Sequence, residues 1–166
     1  MNINVDDLIS NLTSQTQDLV STLGTDQPLM IGIHTGGIWI AEHLHASLNL
    51  EKPMGILDIS FYRDDFSRLG LNPQVKPSKI PLDITGEHII LVDDVLHTGR
   101  TVRAALNELF DYGRPASVHL VVLVDRGGRE LPIAAKVAGK RIDLPPHQHV
   151  KLTGPKPLKL EVITTS

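Results

Sequence analysis

Ile90-Leu91-Val92-Asp93-Asp94-Val95-Leu96-His97-Thr98-Gly99-Arg100-Thr101-Val102 is the stretch on which the fold turns. His88 to Val92 is a short apolar run of strand length, and Val102, Ala105, Leu106 and Leu109 then follow at helical spacing. Strand, tight turn and helix make half of a parallel α/β unit, in which ligands bind at the carboxyl ends of strands. Asp93 and Asp94 stand at that end. Thr98-Gly99-Arg100-Thr101 opens the helix, where unpaired N–H groups and the positive end of the dipole favour an anion. Gly99 lets the main chain approach closely, and Thr98 and Thr101 add hydroxyls. A carboxylate pair repels a phosphate but accepts from sugar hydroxyls or holds a hard cation such as Mg²⁺. The parts together describe a sugar phosphate with free vicinal hydroxyls. For the turn alone, the plainer reading is a helix cap at Thr98 beside a solvated carboxylate pair.

The same alternation continues on both sides. Apolar residues from Val5 to Leu23 fall at helical spacing, stopping at Gly24. Leu29-Met30-Ile31-Gly32-Ile33 reads as a strand covered on both faces, followed by Gly36-Gly37 and a helix from Ile38 to about Leu48. Pro53 opens a strand with Leu57, Ile59 and Phe61 on one face. Val118 to Val124 is the most hydrophobic run and is expected at the centre of the sheet. Between Arg63 and Asp83 there are charges and three prolines but no apolar period, the mark of a flexible lid loop. Short β-like pieces follow at Lys136 to Ile142 and His149 to Leu152. The expected fold is α/β, a central, mostly parallel sheet with right-handed crossovers, as one domain over residues 1–166.

Composition narrows the function classes. The 166 residues are 41% hydrophobic and 21% charged, unlike a disordered or fibrous chain. With no cysteine there is no disulfide scaffold, thiolate catalysis or cysteine-ligated metal. A net charge of −3 argues against a generally polycationic protein. Met1 to Asp7 lacks a signal peptide's basic and apolar regions, and no apolar stretch has membrane-spanning length, so a cytoplasmic protein is expected.

The run from Ile90 to Val102 closely resembles the phosphoribosyl pyrophosphate signature of type I phosphoribosyltransferases. Asp58-Ile59-Ser60-Phe61-Tyr62-Arg63-Asp64-Asp65, Ile80-Pro81-Leu82-Asp83-Ile84-Thr85, Gly113-Arg114-Pro115 and Val122 through Ile133 narrow it further. They resemble the pyrimidine operon attenuation protein/uracil phosphoribosyltransferase family. The resemblance implies the type I phosphoribosyltransferase fold with a small C-terminal hood. It also implies Mg²⁺-dependent transfer of ribose 5-phosphate from phosphoribosyl pyrophosphate to uracil, giving UMP and pyrophosphate. By position, Asp93 and Asp94 would grip the ribose hydroxyls and Mg²⁺, and Asp93-Asp94-Val95-Leu96-His97-Thr98-Gly99-Arg100-Thr101 would form the donor loop. His34-Thr35-Gly36-Gly37 would be the pyrophosphate loop, Arg63 would reach over the leaving group, and the backbone at Ala138 would meet the base. The resemblance also implies a homodimer or homotetramer, with guanosine tetraphosphate as a candidate regulatory nucleotide.

This chain departs from the family pattern at several pyrophosphate- and base-facing positions, so a degenerate sensor that binds phosphoribosyl pyrophosphate or a nucleotide without turnover stands as an alternative to the enzyme. Gly36 replaces an arginine of the pyrophosphate loop, Gly128 replaces a histidine, and Lys136-Val137 replaces an Asp-aromatic pair. His97 stands where the family has an aromatic residue and purine enzymes a carboxylate, so a neutral imidazole there is a candidate proton carrier beside the base. A loop histidine beside a phosphate is the plainer alternative. The family's second job is to bind an RNA hairpin, for which a basic face is needed. Residues 1–24 hold no Lys or Arg and Ala134 replaces an arginine, leaving Arg129, Lys140 and Arg141, so RNA binding is not expected. Surface positions are expected for His43, His45, His147 and His149, and a packing role for Trp39.

Overall fold

The computed structural model describes residues 3–24, 26–59 and 78–166. Five parallel strands, β1 (Leu29–Ile33), β2 (Gly55–Leu57), β3 (His88–Leu96), β4 (Ser117–Asp125) and β5 (Val137–Arg141), form one sheet in the order β2-β1-β3-β4-β5. Side chains alternate across it. Met30, Ile90, Val92, Val121 and Leu123 meet α1 (Val5–Ser21) and α2 (Gly36–Ser47) on one face, while Leu29, Ile31, Ile89, Leu91 and Val122 meet α3 (Arg100–Phe110) on the other. Burying one such Leu or Ile completely contributes about 1.5–3 kcal/mol.

β3, not the more hydrophobic β4, is the middle strand. Hydrophobicity reports burial rather than position, and β4 is covered on both faces while the apolar share of β3 is diluted by Asp93 and Asp94. β3 also runs past Val92 to Leu96, pairing Asp93 with Val122 and Leu96 with Asp125. The helix α2 starts at Gly36, two residues ahead of the expected Ile38, because both glycines join it. β2 stops at Leu57; Asp58 and Ile59 are buried beyond its end, and Phe61 lies outside the described residues.

α1 is capped by Asn4, whose side chain accepts from the Asp7 amide at 3.2 Å. From α1, Asn11 Nδ2 donates to the Gly139 carbonyl at 3.0 Å and Gln15 Nε2 to that of Ala138 at 3.4 Å. The small C-terminal hood is an antiparallel pair, β6 (Gln148–Thr153) and β7 (Lys159–Thr164), whose Leu152 and Leu160 join the core on the α1 side. β7 has no counterpart in the sequence reading, although Lys159-Leu160-Glu161-Val162 carries the alternation of a strand with one face buried.

Candidate active site

β3 carries Asp93 and Asp94 to the carboxyl end of the sheet, where each carboxylate accepts the next amide: Asp94 N–H to Asp93 at 2.9 Å and Val95 N–H to Asp94 at 2.7 Å. Asp93 is 4% exposed, deeper than a strand-end ligand group needs to be. Burial first, then the charge of Asp94, pushes the Asp93 carboxyl well above its ordinary range. Gly99, the N-cap of α3, has φ of 95°, a conformation glycine adopts without strain. The Thr98 hydroxyl oxygen accepts the Arg100 amide at 3.2 Å. The plainer reading of the turn, a cap at Thr98 beside a solvated carboxylate pair, is corrected: Gly99 is the N-cap and Asp93 is buried.

The neighbouring turn follows β1. His34 and Thr35 are exposed and joined by a cis peptide, and the His34 amide donates to the Leu57 carbonyl at 2.8 Å. A Cβ at Gly37 would lie 2.5 Å from the Val92 carbonyl oxygen, and one at Gly36 would lie 2.2 Å from Asp94 Oδ2. Both glycines thus let this turn press against β3. The arginine that the family carries at position 36 fits here only if the Asp94 carboxylate swings aside.

Over the turn that opens α3 runs the segment from Arg126 to Ile133, which carries the family resemblance but no expected site residue. Asp125, at the end of β4, accepts from the Gly127 amide at 3.1 Å, from Arg129 at 2.6 Å and from Arg141 at 2.7 Å. Burial opposes its charge, but the Arg129 bond, the Gly127 amide and both guanidinium charges outweigh that and hold Asp125 below its ordinary value. Arg126, 3% exposed, donates to the Leu144 carbonyl at 3.0 Å and to that of Gln148, tying β4 to the hood. His97 packs against Gly128, whose missing Cβ would lie 3.0 Å from the ring, and against His149 of β6, with ring centroids 6.3 Å apart. Burial, then the charges of Arg126 and His149, lowers the His97 pKa. The departures at positions 97 and 128 are therefore neighbours in space, and a side chain at 128 would press on the imidazole of His97.

A phosphoribosyl transferase domain matches residues 3–151. The chain belongs to the phosphoribosyltransferase family. Among curated relatives, the bifunctional protein PyrR of Nitrosococcus oceani is 54% identical over 164 residues, covering 98% of this chain and 93% of the relative. That of Pseudomonas paraeruginosa is 56% identical over 155 residues, covering 93% and 91%. Among solved structures, a hypoxanthine-guanine phosphoribosyltransferase from Bacillus anthracis superposes with a TM-score of 0.68 at 18% identity, covering 89% of this chain and 83% of that one. A hypoxanthine phosphoribosyltransferase from Staphylococcus aureus gives 0.64 at 22%, covering 89% and 78%. At such identities the likeness extends to the fold alone.

In this phosphoribosyltransferase, His34 through Gly37 and Asp93 through Thr101 meet at one end of the sheet. Ala138 lies within β5 opposite Val122, its carbonyl already accepting from Gln15. Arg63 and most of the expected lid, through residue 77, lie outside the described residues. His149 is not the surface histidine expected, because β6 turns it toward His97. Trp39 is partly buried against the core, as expected of a packing residue. The expectation that the protein does not bind RNA is corrected. Relatives spanning nearly the whole chain are named bifunctional, so thinning of basic residues in α1 is no ground for excluding the second function. The guanidinium of Arg129, a residue expected on an RNA face, bonds to Asp125, His97 and Ile133 within the fold. Among the described residues no helix is long and apolar enough to cross a membrane.

Proposed function

We propose that the chain transfers ribose 5-phosphate from phosphoribosyl pyrophosphate to N1 of uracil, forming UMP and releasing pyrophosphate. The observation that carries this reading is the junction of the carboxylate pair, Asp93 buried and Asp94 half-buried, with the glycine turn of α3, beside the glycine-lined turn of α2. Asp93 and Asp94 accept from the ribose hydroxyls, the amides of residues 98–101 surround the 5-phosphate, and the backbone at 34–37 faces the pyrophosphate. Arg63 belongs over the leaving group, and Ala138 contributes backbone to the base side. As the bond from C1 to the pyrophosphate oxygen breaks, its electron pair leaves with pyrophosphate, C1 bonds to uracil N1, and the N1 proton passes to His97. His97 suits that step because its lowered pKa keeps the imidazole neutral near pH 7.

Mg²⁺ fits the donor set. Among the described residues no three acidic or histidine side chains gather around one point, so Asp93 and Asp94 would be the residues to hold the metal, with substrate and water supplying its other oxygens. A cation beside Asp93 would also oppose the burial and the Asp94 charge that raise its pKa. When bound, Mg²⁺ neutralises charge on the departing pyrophosphate. The cytoplasm, a homodimer or homotetramer, and a nucleotide such as guanosine tetraphosphate competing at the 34–37 turn complete this reading.

The test is consumption of phosphoribosyl pyrophosphate with a panel of free bases, with and without Mg²⁺. Uracil should be preferred and the reaction should need the metal. Turnover with hypoxanthine or guanine in its place would overturn the base assignment. Activity should hold down to a pH below the ordinary histidine range and then fall as His97 takes a proton, a limb that His97→Gln removes. The relatives' bifunctional name favours UMP-dependent RNA binding as a second function of the same chain. Filter binding with a pyrimidine-operon hairpin should show affinity that UMP increases; no preference over a scrambled hairpin would count against it.

A further inference from the structure

The segment over the donor loop places donors on three successive carbonyls. The Arg126 amide meets the Leu96 carbonyl at 3.0 Å, Arg129 Nη1 meets that of His97 at 2.8 Å, and the Glu130 and Leu131 amides meet that of Thr98 at 2.9 and 3.1 Å. A trans peptide is planar, with its C=O and N–H pointing in opposite directions. Neither the His97–Thr98 nor the Thr98–Gly99 peptide is cis. Drawing the His97 and Thr98 carbonyls toward residues 129–131 therefore turns the Thr98 and Gly99 amides away from that segment. No acceptor takes either amide among the described residues. Successive amides aimed to one side form an anion-binding concavity, and fixing them beforehand spares the loop reorganisation when the anion arrives.

Of these ties, Arg129 supplies the one made by a side chain. Its Nη2 is anchored on Asp125 at 2.6 Å and its Nε on the Ile133 carbonyl at 2.8 Å, leaving Nη1 for His97. Only a planar fork reaches three acceptors in this way, so lysine is no substitute. We propose that Arg129 is a positioning residue for the 5-phosphate cradle: it holds the His97 carbonyl outward so that the Thr98 amide faces the bound phosphate. This rests on the phosphate assignment made for the loop under Proposed function.

Titration calorimetry with UMP and with uridine, which lacks the phosphate, separates the cradle from the base and ribose contacts. In the wild-type chain UMP should bind tighter than uridine. Arg129→Ala should raise the Kd for UMP by roughly tenfold, because the Thr98 amide is no longer held toward the phosphate, and leave that for uridine in place. Guanidinium ion added to Arg129→Ala should restore part of the UMP affinity, and Arg129→Lys should restore little. In steady state the KM for phosphoribosyl pyrophosphate should rise while that for uracil holds. If Arg129→Ala does not fold, Asp125→Asn loosens the same guanidinium and should shift UMP affinity in the same direction by less. Equal weakening of UMP and uridine, or unchanged UMP affinity in a folded variant, overturns the proposal. A wild-type chain that binds UMP no better than uridine removes the cradle itself, and Arg129's role with it.

Discussion

The turn after β1 and the turn after β3 lie on neighbouring strands at one end of the sheet, and they are held in opposite ways. Residues 34–37 keep their shape by subtraction: Thr35 makes no side-chain cap, and Gly36 and Gly37 leave room for Asp94 and the Val92 carbonyl. Residues 97–101 are instead strapped from outside by Arg129, Glu130 and Leu131. A turn shaped by missing side chains fails when atoms are added, whereas a strapped turn fails when its ties are cut. The carboxylates of β3, against which the first turn rests, belong to both.

The largest effect should come from those carboxylates. Asp93→Asn should lower turnover by roughly two orders of magnitude, the scale of losing one preorganised group in an active site. The same variant should be more stable than the parent at neutral pH without metal. Because the folded pKa of Asp93 is raised, the parent loses stability as pH climbs through that value, and the advantage of Asn should vanish below about pH 4, where aspartate is protonated folded or unfolded. Thermal melts across pH, beside the rate assay, check both signs.

Gly37→Ala tests the subtractive turn. Its methyl group meets a backbone oxygen at 2.5 Å, which cannot rotate away, so a loss of about 1–3 kcal/mol in urea unfolding is expected. Gly128→Ala should cost less, about 1 kcal/mol, since its φ of 79° disfavours a side chain but the nearest atoms belong to the His97 ring, which can move. It should also alter the acid limb of the rate profile. Smallest of all is Glu130→Gln. Its ion pair with Arg100 at 3.1 Å is largely exposed, and its tie to Thr98 runs through the backbone amide, so stability should change by less than about 0.5 kcal/mol. A large loss there would mean that the strap depends on the Glu130 side chain as well as on that of Arg129.

The subtractive turn and the strapped turn also differ in how legible they were. Gly36-Gly37 and the run from Asp93 to Thr101 are contiguous, so strand, turn and helix could be read from spacing and composition, and with them the parallel sheet. Gly99 announced its own conformation. The strap could not be read in this way, because Arg129 meets His97 only after β4 and its return segment have brought distant stretches together. The contact of Gly128 with His97 is likewise invisible in sequence, since the two residues lie far apart along the chain. His149 depended on the hood, whose second strand went unread. The order of β3 and β4 was misjudged because both strands are buried and only pairing distinguishes them.

The amides that α1 sends to the carbonyls of β5 have a consequence for how copies of this chain can meet. A strand at the margin of a sheet is a template on which another strand can grow, the first step toward fibrils. Here Asn11 and Gln15 occupy the carbonyls of Gly139 and Ala138, and at the opposite margin Ile56 exchanges both of its backbone hydrogen bonds with Lys79, at 2.8 Å each. With these groups engaged, each margin is partly covered, which works against extension of this sheet from one molecule into the next.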